Sequence, residues 1–260
     1  MPGVPALHVH RYGPPDGPPL LVLHGITNTG ARYRRLAEAE LPSARALVPD
    51  LRGHADSPWE PPWDVRRHVD DLLALLDAEG LERVPVAGHS FGGLVAMALA
   101  AAAPERVERL ALIDPAIGLD PARVLRESEE SWNDQGWASV EEARADRRSL
   151  YSADARDTVD EDIAGFLALG PDGRWRLRYC RSAIVVARSE MSRPAPSLAA
   201  WQGDVLLVTA LRADYVMPAL VEGLRREVGG RLSERAIDAG HMLAWEAPAE
   251  LGAMLREWLA

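Results

Sequence analysis

Gly88-His89-Ser90-Phe91-Gly92 has the form G-x-S-x-G, and its two flanks differ in kind. Before it runs Arg83-Val84-Pro85-Val86-Ala87, short and apolar enough for a buried parallel strand. After it comes Gly93-Leu94-Val95-Ala96-Met97-Ala98-Leu99-Ala100-Ala101, a strong helix former with little polar surface. A strand that turns sharply into a helix holds the central residue in strained backbone geometry, with its side chain exposed above the sheet. The flanking glycines are expected where a Cβ would strike the neighbouring strand and helix. Ser90 is therefore the first candidate for chemistry. The bare pattern is common, so its context and partners must carry the argument.

Outward from this turn, apolar runs alternate with helical periods. Leu7 to Tyr12 alternates as an antiparallel strand with one wet face, and Gly13 to Pro19 is a turn by composition. Leu20–Leu23 is a buried strand ending at His24-Gly25. A helix is expected around Ala31 to Glu40 and a short strand at Ala46–Val48. Val65 to Glu79 reads as an amphipathic helix with Val69, Leu72, Leu73 and Leu76 on one stripe. Val107 to Ile113 is a further apolar run, ending at Asp114. Strand-like order returns at Val205–Thr209 and Leu232–Ile237, with helices after Pro218 and over Ala247–Leu259. Such alternation implies right-handed βαβ units, hence an α/β fold with a mostly parallel sheet and helices on both faces.

Residues 115–201 break the pattern. Charges are dense, helical periods recur, and no run resembles a core strand. This block is expected to be a helical cap inserted after the sixth strand, with 1–114 and 202–260 forming the core. It is not expected to fold alone, because the sheet must hold both its ends.

Composition narrows the function. The 260 residues are 47% hydrophobic and 26% charged, as in ordinary globular proteins. A net charge of −10 argues against nucleic acid as a partner. The longest apolar stretch, around Leu94 to Ala103, is too short to span a bilayer. Met1–Pro5 carries neither a basic nor an apolar leader segment, so no secretory signal is expected. A single cysteine, Cys180, excludes an internal disulfide and fits a reducing cytoplasm.

A serine hydroxyl attacks well only when a base removes its proton, and that base is best a histidine oriented by a buried carboxylate. In this architecture acid and histidine follow the serine in chain order, on loops after later strands. Asp214 lies after the Val205–Thr209 strand, and His241 follows the last strand. Both are expected at the carboxyl edge of the sheet beside Ser90. Asp114 is the rival acid, although Asp114-Pro115 also suits a turn into the cap. Phe91 N–H and Ile26 N–H are the expected donors to a tetrahedral oxyanion.

Five motifs in order support a resemblance. They are Leu23-His24-Gly25, Asp50-Leu51-Arg52-Gly53-His54-Ala55-Asp56-Ser57, the G-x-S-x-G turn, Asp214-Tyr215-Val216-Met217-Pro218 and Gly240-His241. Together they resemble the α/β-hydrolase fold superfamily, of the capped type found among esterases, lactonases, C–C bond hydrolases and cofactor-free haloperoxidases. Departures are small: Ala55 and Ala210 stand where glycines are frequent. The resemblance implies an eight-stranded sheet, no cofactor and a small-molecule substrate with an apolar portion. Relatives with a nucleophilic aspartate are disfavoured by the serine at position 90. A carboxylic ester or lactone is the expected substrate. C–C bond hydrolysis of a vinylogous diketone is the alternative, suggested by Gly240-His241-Met242-Leu243-Ala244-Trp245-Glu246; perhydrolase or haloperoxidase chemistry is a further one. A non-catalytic ligand-binding protein on the same fold is the reading from a different class.

Several residues are open to plainer readings. Trp132, Trp137, Trp175, Tyr179 and Met242 are candidates to line a pocket over Ser90, although cap aromatics also form a cap's own core. His24, Asp50, Arg52 and His54 are expected to knit loops together, and His89 to pack or bond locally. His8 and His10 share a strand face. No carboxylate or cysteine nearby completes a metal site, so a plain surface pair and no metal are expected.

Overall fold

The computed structural model describes residues 6–151 and 155–260; the Met1–Pro5 stretch read for a leader lies outside them. The chain first forms β1 (Val9–Tyr12), β2 (Pro19–Leu23), β3 (Arg45–Pro49), α1 (Val65–Ala78), β4 (Val84–His89), α2 (Phe91–Ala102) and β5 (Val107–Ile113). A long excursion holds α3 (Pro121–Asn133), α4 (Val140–Ser149), α5 (Arg156–Phe166), β6 (Leu167–Leu169), β7 (Trp175–Leu177) and α6 (Arg181–Met191). The chain then returns through β8 (Val205–Ala210), α7 (Pro218–Val228), β9 (Leu232–Ile237), α8 (Leu243–Glu246) and α9 (Pro248–Leu259).

Seven strands make one sheet in the order β1-β3-β2-β4-β5-β8-β9, and only the β1–β3 pair is antiparallel. The sheet thus has seven strands among the described residues rather than the eight expected. The turn over residues 13–18, where Gly17 N–H donates to the Pro14 carbonyl, takes β1 straight into β2. The excursion accordingly leaves after the fifth strand, not the sixth. It also contains the β6–β7 hairpin, a pairing too short and too exposed to register as a core strand. Among the described residues no helix is long and apolar enough to cross a membrane.

Alternate residues of the parallel strands feed two cores. Leu21, Leu23, Leu47, Leu110, Leu112 and Leu207 face α1 and α2 on one side. Leu20, Val22, Ala46, Val48, Ala111 and Val208 face Tyr33, Leu36 and α9 on the other. A strand buried on both faces needs apolar residues throughout, which is why Val84–Ala87 of β4 and Leu110–Ile113 of β5 are apolar without a break. On α1, Val69, Leu72 and Leu76 are buried as the stripe requires, and Asp64 caps the helix by accepting the Arg67 N–H. The helix expected at 31–40 is instead a 3-10 turn (Gly30–Tyr33) followed by a π turn (Leu36–Glu40). Gly30 opens this segment so close to β3 that a Cβ there would lie 2.3 Å from the Val48 carbonyl oxygen.

Several contacts bind the excursion to the core, among them one polar and one apolar. Trp201, fully buried, donates its indole N–H to the Val107 carbonyl (3.0 Å) where the chain re-enters the sheet. Ala143, Val159 and Ile163 pack around Trp245 of α8, so the apolar centre of this block is completed by a core residue.

Candidate active site

The turn between β4 and α2 is built by close approach. A Cβ on Gly92 would lie 2.4 Å from the Leu23 carbonyl oxygen, and one on Gly88 would lie 2.3 Å from that of Gly92. Only glycine fits either position. Ser90 itself has φ 55° and ψ −120°, a conformation costly for an L-residue. It is held there by its N–H donating to the Ile113 carbonyl (3.1 Å) and by its own carbonyl accepting the Gly93 N–H (2.9 Å).

A continuous hydrogen-bonded relay runs from this serine. His241 Nε2 lies 2.9 Å from Ser90 Oγ, and His241 Nδ1 lies 2.6 Å from Asp114 Oδ2. Asp114 is fully buried, and its other oxygen accepts the Ala210 N–H at 3.0 Å. An ionised carboxylate at Nδ1 selects the tautomer with the proton there, which leaves the Nε2 lone pair facing the serine hydroxyl.

Asp214, the expected acid, is not brought to His241. Its side chain is 85% exposed and pairs with Arg123 at 3.0 Å. Strand order supplies the reason. β5 is the immediate neighbour of β4, so Asp114 ends one strand away from Ser90, whereas β8 is two strands away. After β8 the chain also turns outward along β9, where Leu211 N–H donates to the Ile237 carbonyl and Arg212 N–H to that of Ala239. The neighbour of Asp214 does reach the histidine: the Tyr215 ring stacks on the His241 imidazole with centroids 4.0 Å apart. Arg123 in turn lies over Tyr215 at 4.2 Å. Burial raises the phenol pKa of Tyr215, so the ring stacks as neutral phenol. The sequence gives no cue to this contact beyond the residue's place beside Asp214.

His89 touches the same histidine from the elbow. Its Nε2 lies 2.7 Å from the His241 carbonyl oxygen, to which it donates. Burial, with the neighbouring His241, drives its pKa well below the ordinary value, so it stays neutral and holds the loop.

The segment after β2 passes directly over the serine, since a Cβ on Gly25 would lie 3.4 Å from Ser90 Oγ. Ile26 and Phe91, whose N–H groups are the expected oxyanion donors, flank this passage. Two neutral histidines staple the segment. His24 Nδ1–H donates to the Gly25 carbonyl (2.7 Å) while Nε2 accepts the Leu51 N–H (2.8 Å). His54 Nδ1–H donates to the Arg52 carbonyl (3.1 Å) while Nε2 accepts the Thr27 N–H (3.2 Å). Burial lowers their pKa values to about 4 and about 3 respectively. Asp50 fixes the far end by accepting the Thr29 hydroxyl (2.6 Å) and the Gly30 N–H (2.8 Å). Burial would raise its pKa, but these bonds and the His10 imidazole hold it well below the usual carboxylate range. Arg52 pairs with Asp71, both buried. The loop network expected of these four residues is present.

The pocket candidates fare differently. Trp132 is 56% exposed. Trp137 and Trp175 exchange backbone hydrogen bonds of 2.9 and 2.8 Å, sewing the 134–138 loop to the β6–β7 hairpin. Tyr179 is half-buried beside Asp134 and packs with Phe166 and Leu177. Met242, next to the histidine, packs on the Trp245 cluster. A cavity of about 440 Å³ does open between the 29–35 turn and α5, lined by Thr29, Arg32, Asp56, Glu161, Phe166 and Arg178 among others. Ser90, Asp114 and His241 do not line it.

Comparisons with known proteins agree with this architecture. Residues 18–144 match the model of a family described as alpha/beta hydrolase fold. Lipase LipV of Mycobacterium tuberculosis is 38% identical over 256 residues, covering 97% of each chain. Esterase YbfF of Escherichia coli is 25% identical, covering 93% of this chain and 92% of its own. Among solved structures, E-2-(acetamidomethylene)succinate hydrolase superposes with a TM-score of 0.84 at 18% identity, covering 97% of this chain and 94% of that one.

Proposed function

This chain belongs to the α/β hydrolase fold family, and from that premise we propose that it is a serine hydrolase cleaving a small-to-medium carboxylic ester or lactone with an apolar portion. Relatives named lipase and esterase support the ester reading. The observation that carries it is the unbroken relay from Ser90 through His241 to Asp114, at 2.9 and 2.6 Å.

In this reading Ser90 Oγ attacks the substrate carbonyl carbon as His241 Nε2 takes the hydroxyl proton. Asp114 stabilises the resulting imidazolium. The oxyanion is met by the N–H groups of Phe91 and Ile26, each worth on the order of 3 kcal/mol to the transition state. Collapse expels the alcohol, which takes the proton from His241, and leaves an acyl group on Ser90. Water then gives a proton to His241 and attacks the acyl carbon; as this second intermediate collapses, His241 returns the proton to Ser90 Oγ and the carboxylic acid leaves. Residues 115–201 act as the cap over this machinery, and the remainder as the core.

Ester hydrolysis is preferred over C–C cleavage because the segment suggesting the latter has structural work here. Trp245 donates to the Arg32 carbonyl (3.3 Å), and Glu246 accepts the Gly240 N–H (3.1 Å). The decisive experiment pairs p-nitrophenyl ester turnover with fluorophosphonate labelling of wild type and Ser90→Ala. Wild type is expected to turn over and to be labelled at Ser90, and the variant to lose both. Ester turnover in the variant within a few-fold of wild type would overturn the mechanism. A folded wild type that neither labels nor turns over would favour a ligand-binding protein instead.

A further inference from the structure

His8, His10 and Asp50 meet at the far side of the sheet, separated from β4 by β3 and β2. The two histidines lie two apart on one face of the chain entering β1, as sequence alone suggests. The carboxylate comes from forty residues further on. Antiparallel pairing of β1 with β3 sets Val9 opposite Pro49, and Asp50 N–H donates to the His8 carbonyl (2.9 Å). That register brings Asp50 beneath both imidazoles, which corrects the expectation that no carboxylate is near.

We propose that His8, His10 and Asp50 form a binding site for a borderline divalent transition cation, with Zn²⁺ the best match. One nitrogen or oxygen from each residue lies within 4.8 Å of the others. In a tetrahedral zinc site with bonds of about 2.0–2.1 Å, neighbouring ligand atoms stand about 3.3 Å apart. His10 Nε2 lies 3.3 Å from both Asp50 oxygens, so that edge of the tetrahedron already exists. The imidazole of His8 makes no hydrogen bond among the described residues, and its ring sits 4.7 Å from that of His10. His8 is exposed, which leaves its side chain room to rotate toward the other two ligands.

The carboxylate is prepared for such a role. Oδ1 accepts from Thr29 and Gly30, which fixes its plane as outer-shell hydrogen bonds do around metal ligands. Among the described residues Oδ2 receives only a long 3.4 Å contact from the Asp56 N–H besides His10, and so keeps a lone pair for a cation. Two imidazoles and one carboxylate favour Zn²⁺ over Ca²⁺ or Mg²⁺, which prefer all-oxygen shells. Water supplies the fourth ligand.

The test uses the full chain stripped with a chelator. It is titrated with Zn²⁺ by calorimetry and with Co²⁺ by visible d–d absorption. Wild type is expected to bind one ion with tetrahedral cobalt absorption, and its thermal midpoint to rise by about 5 °C or more at a hundredfold excess over Kd. His8→Ala and His10→Ala are each expected to weaken binding at least tenfold. Ester turnover by His8→Ala should stay within twofold of wild type, and His241→Ala should bind zinc as wild type does. The site is refuted by wild type failing to take either ion. It is equally refuted by binding that survives unchanged in a folded His8→Ala/His10→Ala variant or that disappears in His241→Ala, which would move the ion to the serine–histidine centre.

Discussion

Asp114 and Asp214 are chemically identical and differ only in what the fold does with each. Asp114 leaves β5 at φ 41°, an unfavourable angle for a non-glycine residue, and is kept there by the Val208 carbonyl, which accepts its N–H at 2.7 Å. That bend aims the carboxylate between the Ala210 amide and the His241 ring. Asp214 lies in solvent against Arg123, where an exposed pair is worth little. Asp114→Asn keeps the shape but favours the wrong imidazole tautomer, and is expected to lower kcat by about 10³–10⁴. Asp214→Asn should change it by less than about threefold. Steady-state kinetics on one activated ester, run on both variants, separates the two carboxylates.

Between elements, the decisive contact joins the 30–33 turn to α5 across the core–excursion boundary. Arg32 and Asp162 form a bidentate pair with both side chains buried. The guanidinium also lies 4.9 Å from the ring centres of Phe166 and Trp245 and donates to the Thr27 carbonyl. Removing one partner of a buried pair leaves a charge with no water to replace it. Asp162→Ala is therefore expected to cost about 3 kcal/mol, measured as a lower urea midpoint. Because Thr27 belongs to the segment over Ser90, the variant should also lose activity before it unfolds globally. A midpoint unchanged from wild type would show that α5 is docked by its apolar residues alone.

For the molecule as a whole, buried histidines set the response to acid. His24, His54 and His68 have pKa values lowered by burial to about 4, about 3 and about 3. Unfolded, each returns to about 6.5. As pH falls below that value, the unfolded chain takes up protons that the folded chain refuses, so stability declines. It does so by about 1.4 kcal/mol per pH unit for each such histidine, until the folded values are reached. The thermal midpoint should be flat above about pH 7 and fall steeply between about pH 6 and 4. A midpoint constant across that window would contradict this account. The same tertiary level divides what was legible in the chain from what was not. Apolar runs sufficed for β2, for the Leu110–Ile113 end of β5 and for β8, because burial on both faces of a strand leaves a mark on every residue; the exposed edge strand β9, the elbow at Ser90 and the loop histidine were legible from their order along the chain. The amino-acid order therefore determined an alternating sheet, a serine at its carboxyl edge and a histidine to meet it. Folded geometry alone chose Asp114 over Asp214, stacked Tyr215 on His241, joined Trp137 to Trp175 through their backbones and carried Asp50 under His8 and His10. Each of those outcomes depends on which strands lie side by side, and strand adjacency is fixed by the packing of the whole sheet rather than by any local stretch of chain.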